Sequence, residues 1–262
     1  MPLLVTNMLE HRVIPALLLR DGGLVKTRRF KDAKYIGDPI NAIRIFNDKE
    51  VDELIVLDID ASRRCSEPDY ATIEQIAGEC FMPVCYGGGI HSVEQAAGLF
   101  NLGIEKICLQ SAVFDDPDLI SRIADRFGCQ SVVVSVDIKH NWLKKPMLYE
   151  SRKGRKREQD WLEFAQAAVK AGAGEVLLTA VEREGAMTGY DLALVRQAAD
   201  ALKVPLIALG GAGSLADIKA VIDAGASAAA AGSLFVLHGP HRAVLITYPP
   251  YAELEKLQEQ YR

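Results

Sequence analysis

The sequence predicts an α/β protein of the (βα)8 barrel class, the TIM barrel, and three observations carry that expectation. Short β-branched or apolar runs alternate with segments of helical period, as βαβ units around a parallel sheet do. Eight such units can be counted in 262 residues, a length that one barrel fills. Features of the first half return roughly 120 residues later, so the barrel should consist of two four-stranded halves related by a twofold repeat.

The expected strands are Val13 to Leu19, Leu54 to Ile59, Pro83 to Tyr86, Ile107 to Leu109, Val132 to Asp137, Val176 to Thr179, Leu206 to Leu209 and Ala228 to Ala231. Helix starts between them carry physical signals. Asp38 before Pro39 is an N-cap with proline at the first helical position, and Ser92 with Gln95 and Ser214 with Asp217 have capping-box spacing. Tyr86-Gly87-Gly88-Gly89 matches Leu209-Gly210-Gly211-Ala212, and Gln110-Ser111-Ala112-Val113-Phe114 resembles Gly232-Ser233-Leu234-Phe235. An open doubly wound sheet would need a single glycine fingerprint after its first strand, and none is there. Ala252 to Arg262 reads as a final amphipathic helix, and residues 1–262 as one domain.

Composition narrows the function classes. A net charge of -5 argues against nucleic-acid binding, which wants a basic face. No run of about 18 uninterrupted apolar residues exists, and Met1 to Arg12 lacks the apolar core of a signal peptide, so a cytoplasmic protein with no membrane span is expected. Cys65, Cys80, Cys85, Cys108 and Cys129 are odd in number and lack metal-site spacing, as reduced core thiols do. His238 and His241 flank a Gly-Pro turn with no third ligand near, so neither metal nor cofactor is expected.

Gly87 to Ser92 follows the third strand and leads into a capped helix, which lets backbone N–H groups approach an anion with no Cβ in the way. Gly210 to Ser214 repeats this after the seventh strand. Gln110 and Ser111 after strand four and Gly232 and Ser233 after strand eight complete two half-sites on opposite sides of one rim. Gly88, Gly89, Gln110 and Ser111 are therefore candidate phosphate ligands at the first, and Gly210, Gly211, Gly232 and Ser233 at the second, with Gly185 a further ligand-binding candidate. Glycines also make tight turns without binding anything, but two symmetric copies weaken that reading. Lys26 is expected to add a charge to the first half-site. Asp58, ending strand two beside Asp60, is a further ligand candidate that would face inward if Leu57 and Ile59 pack outward.

Taken together these residues resemble a family, the cyclase subunit of imidazole glycerol phosphate synthase, HisF. The resemblance runs from about Arg12 to Phe235 through DGGLVKTRRF, DELIVLDIDAS, GGGI, VVVSVDIK, GAGEVLLT, GYD and GGAG. It implies a barrel that receives ammonia from a HisH-like glutaminase docked at its N-terminal face, in a one-to-one heterodimer, and uses it at the C-terminal face. Arg12, Glu53, Lys106 and Glu175 stand immediately before apolar strands and match the salt-bridged gate of the ammonia tunnel. A lone charge at a strand start usually just faces water, whereas four matching together favour the gate.

The resemblance also implies two catalytic aspartates, at the ends of strands one and five. The second is Asp137. The first position reads Leu18, which cannot take or give a proton, and Asp21 matches a different family position. Glu184 stands where a shorter aspartate is usual. The Leu-Leu-Leu-Arg-Asp-Gly-Gly run from Leu17 to Gly23 and the tail from His241 to Pro249 resemble a HisF-like glycosyl amidation-associated branch, the WbuZ type. That resemblance implies a subunit of a glutamine amidotransferase complex that passes ammonia to a third protein for amidination of a surface-polysaccharide sugar. The alternative is a genuine lyase that converts PRFAR, a bisphosphorylated formimino intermediate, and ammonia into imidazole glycerol phosphate and AICAR in histidine biosynthesis. A stand-alone phosphosugar isomerase is a third reading, with no use for the charged bottom ring. The basic run Arg152, Lys153, Arg155, Lys156 and Arg157 either clamps phosphate, meets the third protein or is a solvated loop. Trp142 and Trp161 are expected to anchor it by packing.

Overall fold

Eight strands close on themselves in the computed structural model, which describes residues 11–258. The strands are β1 (Arg12–Arg20), β2 (Gly23–Arg28), β3 (Lys31–Gly37), β4 (Leu54–Asp58), β5 (Val84–Gly87), β6 (Lys106–Leu109), β7 (Val132–His140), β8 (Pro146–Glu150), β9 (Arg155–Lys156), β10 (Glu175–Ala180), β11 (Leu206–Leu209), β12 (Ala228–Ala231), β13 (Leu237–His238) and β14 (Ala243–Val244). Of these β1, β4, β5, β6, β7, β10, β11 and β12 pair in parallel in that order, and β12 returns to β1 with Arg12 opposite Ala228. The circuit is a (βα)8 barrel. The rest form hairpins: β2 with β3, β8 with β7 and β9, and β13 with β14.

The helices are α1 (Pro39–Asp48), α2 (Ala61–Arg64), α3 (Tyr70–Glu79), α4 (Val93–Asn101), α5 (Ser111–Asp115), α6 (Leu119–Phe127), α7 (Trp161–Lys170), α8 (Leu192–Ala201), α9 (Leu215–Asp223), α10 (Ser233–Val236) and α11 (Tyr251–Gln258). The half-barrel repeat is visible in the caps. Ser92 Oγ accepts the Gln95 N–H at 3.2 Å while Gln95 Oε1 accepts the His91 N–H at 2.7 Å. In the second half Ser214 Oγ accepts the Asp217 N–H at 3.3 Å and Asp217 Oδ2 accepts the Gly213 N–H at 2.9 Å. Each arrangement satisfies two donors at a helix start, a contribution of about 1 kcal/mol per cap.

Two apolar layers separate by strand parity. Val13, Leu17, Leu54, Val56, Val134 and Val136 face outward to the helices, whereas Ile14, Ala16, Ile55, Cys85, Cys108, Val133, Leu177 and Ile207 fill the bore. Parity fixes which polar side chains reach the axis, because successive residues point to opposite faces. The strand expected to stop at Asp137 runs on to His140, since β8 folds back antiparallel to it. Trp142, at the tip of that hairpin, is 88% exposed and anchors nothing, whereas Trp161 opens α7 and is buried. The final helix is described over Tyr251–Gln258; the stretch of the expected helix over residues 259–262, and most of the amino-terminal segment read for a leader, lie outside the described residues. Among the described residues no helix is long and apolar enough to cross a membrane.

Candidate functional site

At the bottom of the barrel the four expected charges form one closed ring. Arg12 bonds Glu53, and its Nη2 lies 3.0 Å from Glu175; Lys106 Nζ lies 2.9 Å from Glu53 and 2.8 Å from Glu175. Each cation touches both carboxylates. Arg12, Lys106 and Glu175 open their strands and Glu53 precedes β4, so parity sends all four side chains to the axis. Burial works against the charges on Arg12 and Lys106, but Glu53 and Glu175 outweigh it and hold both groups above their ordinary values.

At the opposite end a cleft of about 480 Å³ opens, bordered by Leu18, Asp137, Gln110, Ser111, Gly88, Gly89, Lys26, Glu184 and Gly232. Asp137 is buried on β7, where its Oδ1 accepts from Ser135 Oγ at 3.0 Å and its Oδ2 from Ser151 Oγ. Burial pushes its carboxyl above the ordinary value, and hydrogen bonds from Ser151, Gln110, Ser135 and Thr179 oppose that without cancelling it. Such a group keeps its proton to higher pH than a free carboxyl does, which suits an acid or base in a cleft. Leu18 is on β1, four strands away around the circuit, and is 8% exposed. The wall facing Asp137 is therefore hydrocarbon, with Ala16, Leu57 and Leu209 beside Leu18.

The glycine loops have a structural reason of their own. Gly88 has φ +127° and a Cβ there would sit 2.6 Å from Asp58 O, while Gly211 has φ +116° and a Cβ would sit 2.1 Å from Gly189 O. Gly88, Gly89, Gln110 and Ser111 line the cleft together. At the second half-site the cleft reaches Gly232 but does not extend to Gly185, Gly210, Gly211 or Ser233. Ser233 is buried, and its Oγ has no hydrogen-bond partner among the described residues. Gly185 holds the β2–β3 hairpin, because a Cβ there would meet Thr27 O at 2.2 Å.

Several placements differ from the expectations. Lys26 joins the second half-site rather than the first: its Nζ pairs with Glu184 and would lie 2.9 Å from a Gly232 Cβ. The β2–β3 hairpin carries it over that side of the mouth, a reach hidden from sequence spacing. Asp58 points away from the axis because Leu57, not Asp58, packs into the bore. Its Oδ1 accepts the N–H groups of Asp60 and Ala61 at 3.0 and 2.9 Å, capping α2, while the residue still borders the cleft.

The basic run is not a free solvated loop. Arg157, Lys153, Arg155 and Arg152 converge on the buried Glu150 at 2.8, 3.2, 3.2 and 3.4 Å, and Lys156 donates to His140 O. Burial works against ionisation of Glu150, and the bonds from Arg157, Lys153 and Arg155 overcome it, bringing the carboxyl down to about 2. A carboxyl with a depressed folded value adds stability that is full above its unfolded value, near 4.5, and disappears as pH falls toward 2. Glu150→Gln should therefore lower stability at pH 7 by on the order of 1–2 kcal/mol, discounted because Lys153 and Arg155 stand partly in water. Thermal melts should show the gap from wild type narrowing between pH 4.5 and 2; a gap constant with pH would contradict this.

Sequence reasoning missed the shell around Asp137. Ser135 sits two residues before it on the same strand face, and Thr179 is its register partner's residue on β10, so parity was a usable signal for both. Ser151 and Arg63 reach the mouth only through the hairpin after β8 and the short helix after β4, which spacing does not reveal. Among the described residues no group of three or more His, Cys, Asp or Glu side chains is assembled to hold a metal ion.

Comparison with known proteins agrees with the barrel fold. A histidine biosynthesis protein family model matches residues 12–240. The chain is 53% identical over 249 residues to a provisionally named imidazole glycerol phosphate synthase subunit hisF2 of Pseudomonas aeruginosa, covering 95% of this chain and 99% of that protein. It is 49% identical over 257 residues to the provisionally named subunit hisF3 of Vibrio vulnificus, covering 97% and 99%. Similarity to the imidazole glycerol phosphate synthase subunit HisF of Hyphomonas neptunium is 40% over 233 residues, covering 87% and 90%.

Proposed function

From the premise that this chain belongs to the HisF family of histidine biosynthesis proteins, we propose that it is the barrel subunit of a glutamine amidotransferase complex and does not itself cyclise. A HisH-like glutaminase at the N-terminal face releases ammonia from glutamine, the ring of Arg12, Glu53, Lys106 and Glu175 gates it, and the apolar bore carries it to the mouth. A third protein takes it there for amidination of a surface-polysaccharide sugar. The observation that carries the reading is Leu18: acid–base lysis and ring closure need two proton-transfer groups, and the wall opposite Asp137 supplies none. Ammonia delivery asks for no second proton-transfer group, and the four ion pairs of the ring support a gate.

The second reading, a genuine cyclase, draws on Asp137 and its hydrogen-bond shell. It requires another acid at the mouth, and the nearest replacements are engaged: Glu184 binds Lys26 and Thr27, and Asp58 caps a helix. The test is to supply the purified chain with an ammonium salt and PRFAR. The expected result is PRFAR binding without turnover to imidazole glycerol phosphate, together with glutamine hydrolysis once the HisH-like glutaminase is added. Robust turnover by the wild-type chain would overturn the proposal.

A further inference from the structure

The charges around the mouth are unevenly balanced. On the side of the second half-site Lys26 is matched one for one by Glu184, with Thr27 Oγ1 donating to the same carboxylate at 3.0 Å. On the side of the first half-site three arginines share Asp60: Arg20 at 2.7 Å, Arg64 at 3.4 Å and Arg63 at 3.8 Å. Arg64 is also bound by Asp21. Adjoining these arginines, the four basic residues on Glu150 have Asp115, bound to Arg152 at 2.7 Å, as their second carboxylate. The group on Glu150 therefore keeps positive charge after its ion pairs are counted, whereas on the α2 side Asp58, which borders the cleft and acts on Arg64, balances the third arginine.

Arg63 is the member least committed to a carboxylate. It extends from α2, donates weakly to Ser151 O at 3.4 Å and is bridged in this way to the residue before Arg152. Ser151 N–H in turn donates to Gln110 Oε1 at 3.3 Å, and Ser62 Oγ, next to Arg63, accepts the Gly89 N–H at 3.4 Å. Arg63 and Arg152 thus border the cleft beside the glycine and Gln110–Ser111 loops. Two guanidinium groups bring planar, charge-assisted donors to the edge of these loops, the geometry that recognises phosphate oxygens.

We infer that the mouth is a polarised anion site whose first half-site is built for a diphosphate ester, with Arg63 as the residue that accommodates the additional phosphate. This ligand carries one strongly anionic end and a less charged remainder, which lies along the Leu18–Leu57–Leu209 wall toward Gly232. The inference rests on reading the mouth as the place where ammonia meets an anionic ligand.

The test is calorimetric titration of the full-length protein, free of divalent ions and at constant ionic strength, with inorganic phosphate and inorganic pyrophosphate. Pyrophosphate should bind about ten-fold more tightly, and Arg63→Gln should remove that preference while changing phosphate affinity less than about two-fold, the size expected for one lost charged hydrogen bond. Arg44→Gln, on an exposed pair with Glu79 on the outer helices, should change neither. Equal affinities in the wild type, a preference that survives Arg63→Gln, or one equally lost in Arg44→Gln would overturn the inference. Turnover of PRFAR would defeat the conduit reading and leave this binding contrast untouched, so the two failures are distinguishable.

Discussion

Leu18→Asp should raise formation of imidazole glycerol phosphate from PRFAR and ammonium by on the order of 10²-fold or more over the wild type, the usual worth of one positioned acid or base. Leu18 has the inward parity of β1, borders the same cleft as Asp137 and is 8% exposed, so a carboxylate there would enter the cleft rather than the helical layer. The cost falls on the fold. An aspartate beside Ala16, Leu57 and Leu209 loses water without gaining a partner, which should lower stability by roughly 1–3 kcal/mol and raise the new carboxyl's titration. Steady-state assays with saturating ammonium and a melt of each protein measure the two effects. If the variant binds PRFAR and turns over no faster than wild type, the missing acid is not what separates this chain from a cyclase.

Lys106→Met should be the most damaging change at the opposite end. Methionine keeps most of the stem volume and removes the charge, leaving Glu53 and Glu175 to share Arg12 alone in a site where Glu53 is nearly inaccessible. Removing one partner of a buried ion pair costs roughly 3 kcal/mol, because the remaining charge stays desolvated. For a chain of this size that corresponds to a fall of about 6–12 °C in the melting midpoint. Adding Glu53→Gln to Lys106→Met should recover part of the loss, since it restores one positive and one negative charge. A midpoint within about 1 °C of wild type for the single variant would mean that the ring is screened by water and contributes little.

Much of this was legible because barrels are written in a two-residue period. The alternation that fills the bore with Ile14, Ala16, Ile55 and Leu177 also sends Arg12, Glu53, Lys106 and Glu175 to one ring, and a strand start marks which end they occupy. The same rule was misapplied at Asp58, where the inward residue is its neighbour Leu57. Hairpins were the harder part. Their reach depends on turn geometry and on partners distant in sequence, so neither Lys26 at Gly232 nor Glu150 beneath the basic run follows from spacing. A sequence shows a cluster of charge long before it shows which single carboxylate gathers it.

The crowding at Gly88 and Gly211 has an evolutionary consequence. Both glycines are pressed against backbone carbonyls of neighbouring segments, so any side chain there would force the strands apart whether or not an anion is bound. A lineage that abandons a reaction can exchange an aspartate for leucine at little structural cost, but it cannot discard these glycines without damaging the barrel. The glycine loops are inherited with the architecture, and whatever chemistry arises at this mouth must work beside them.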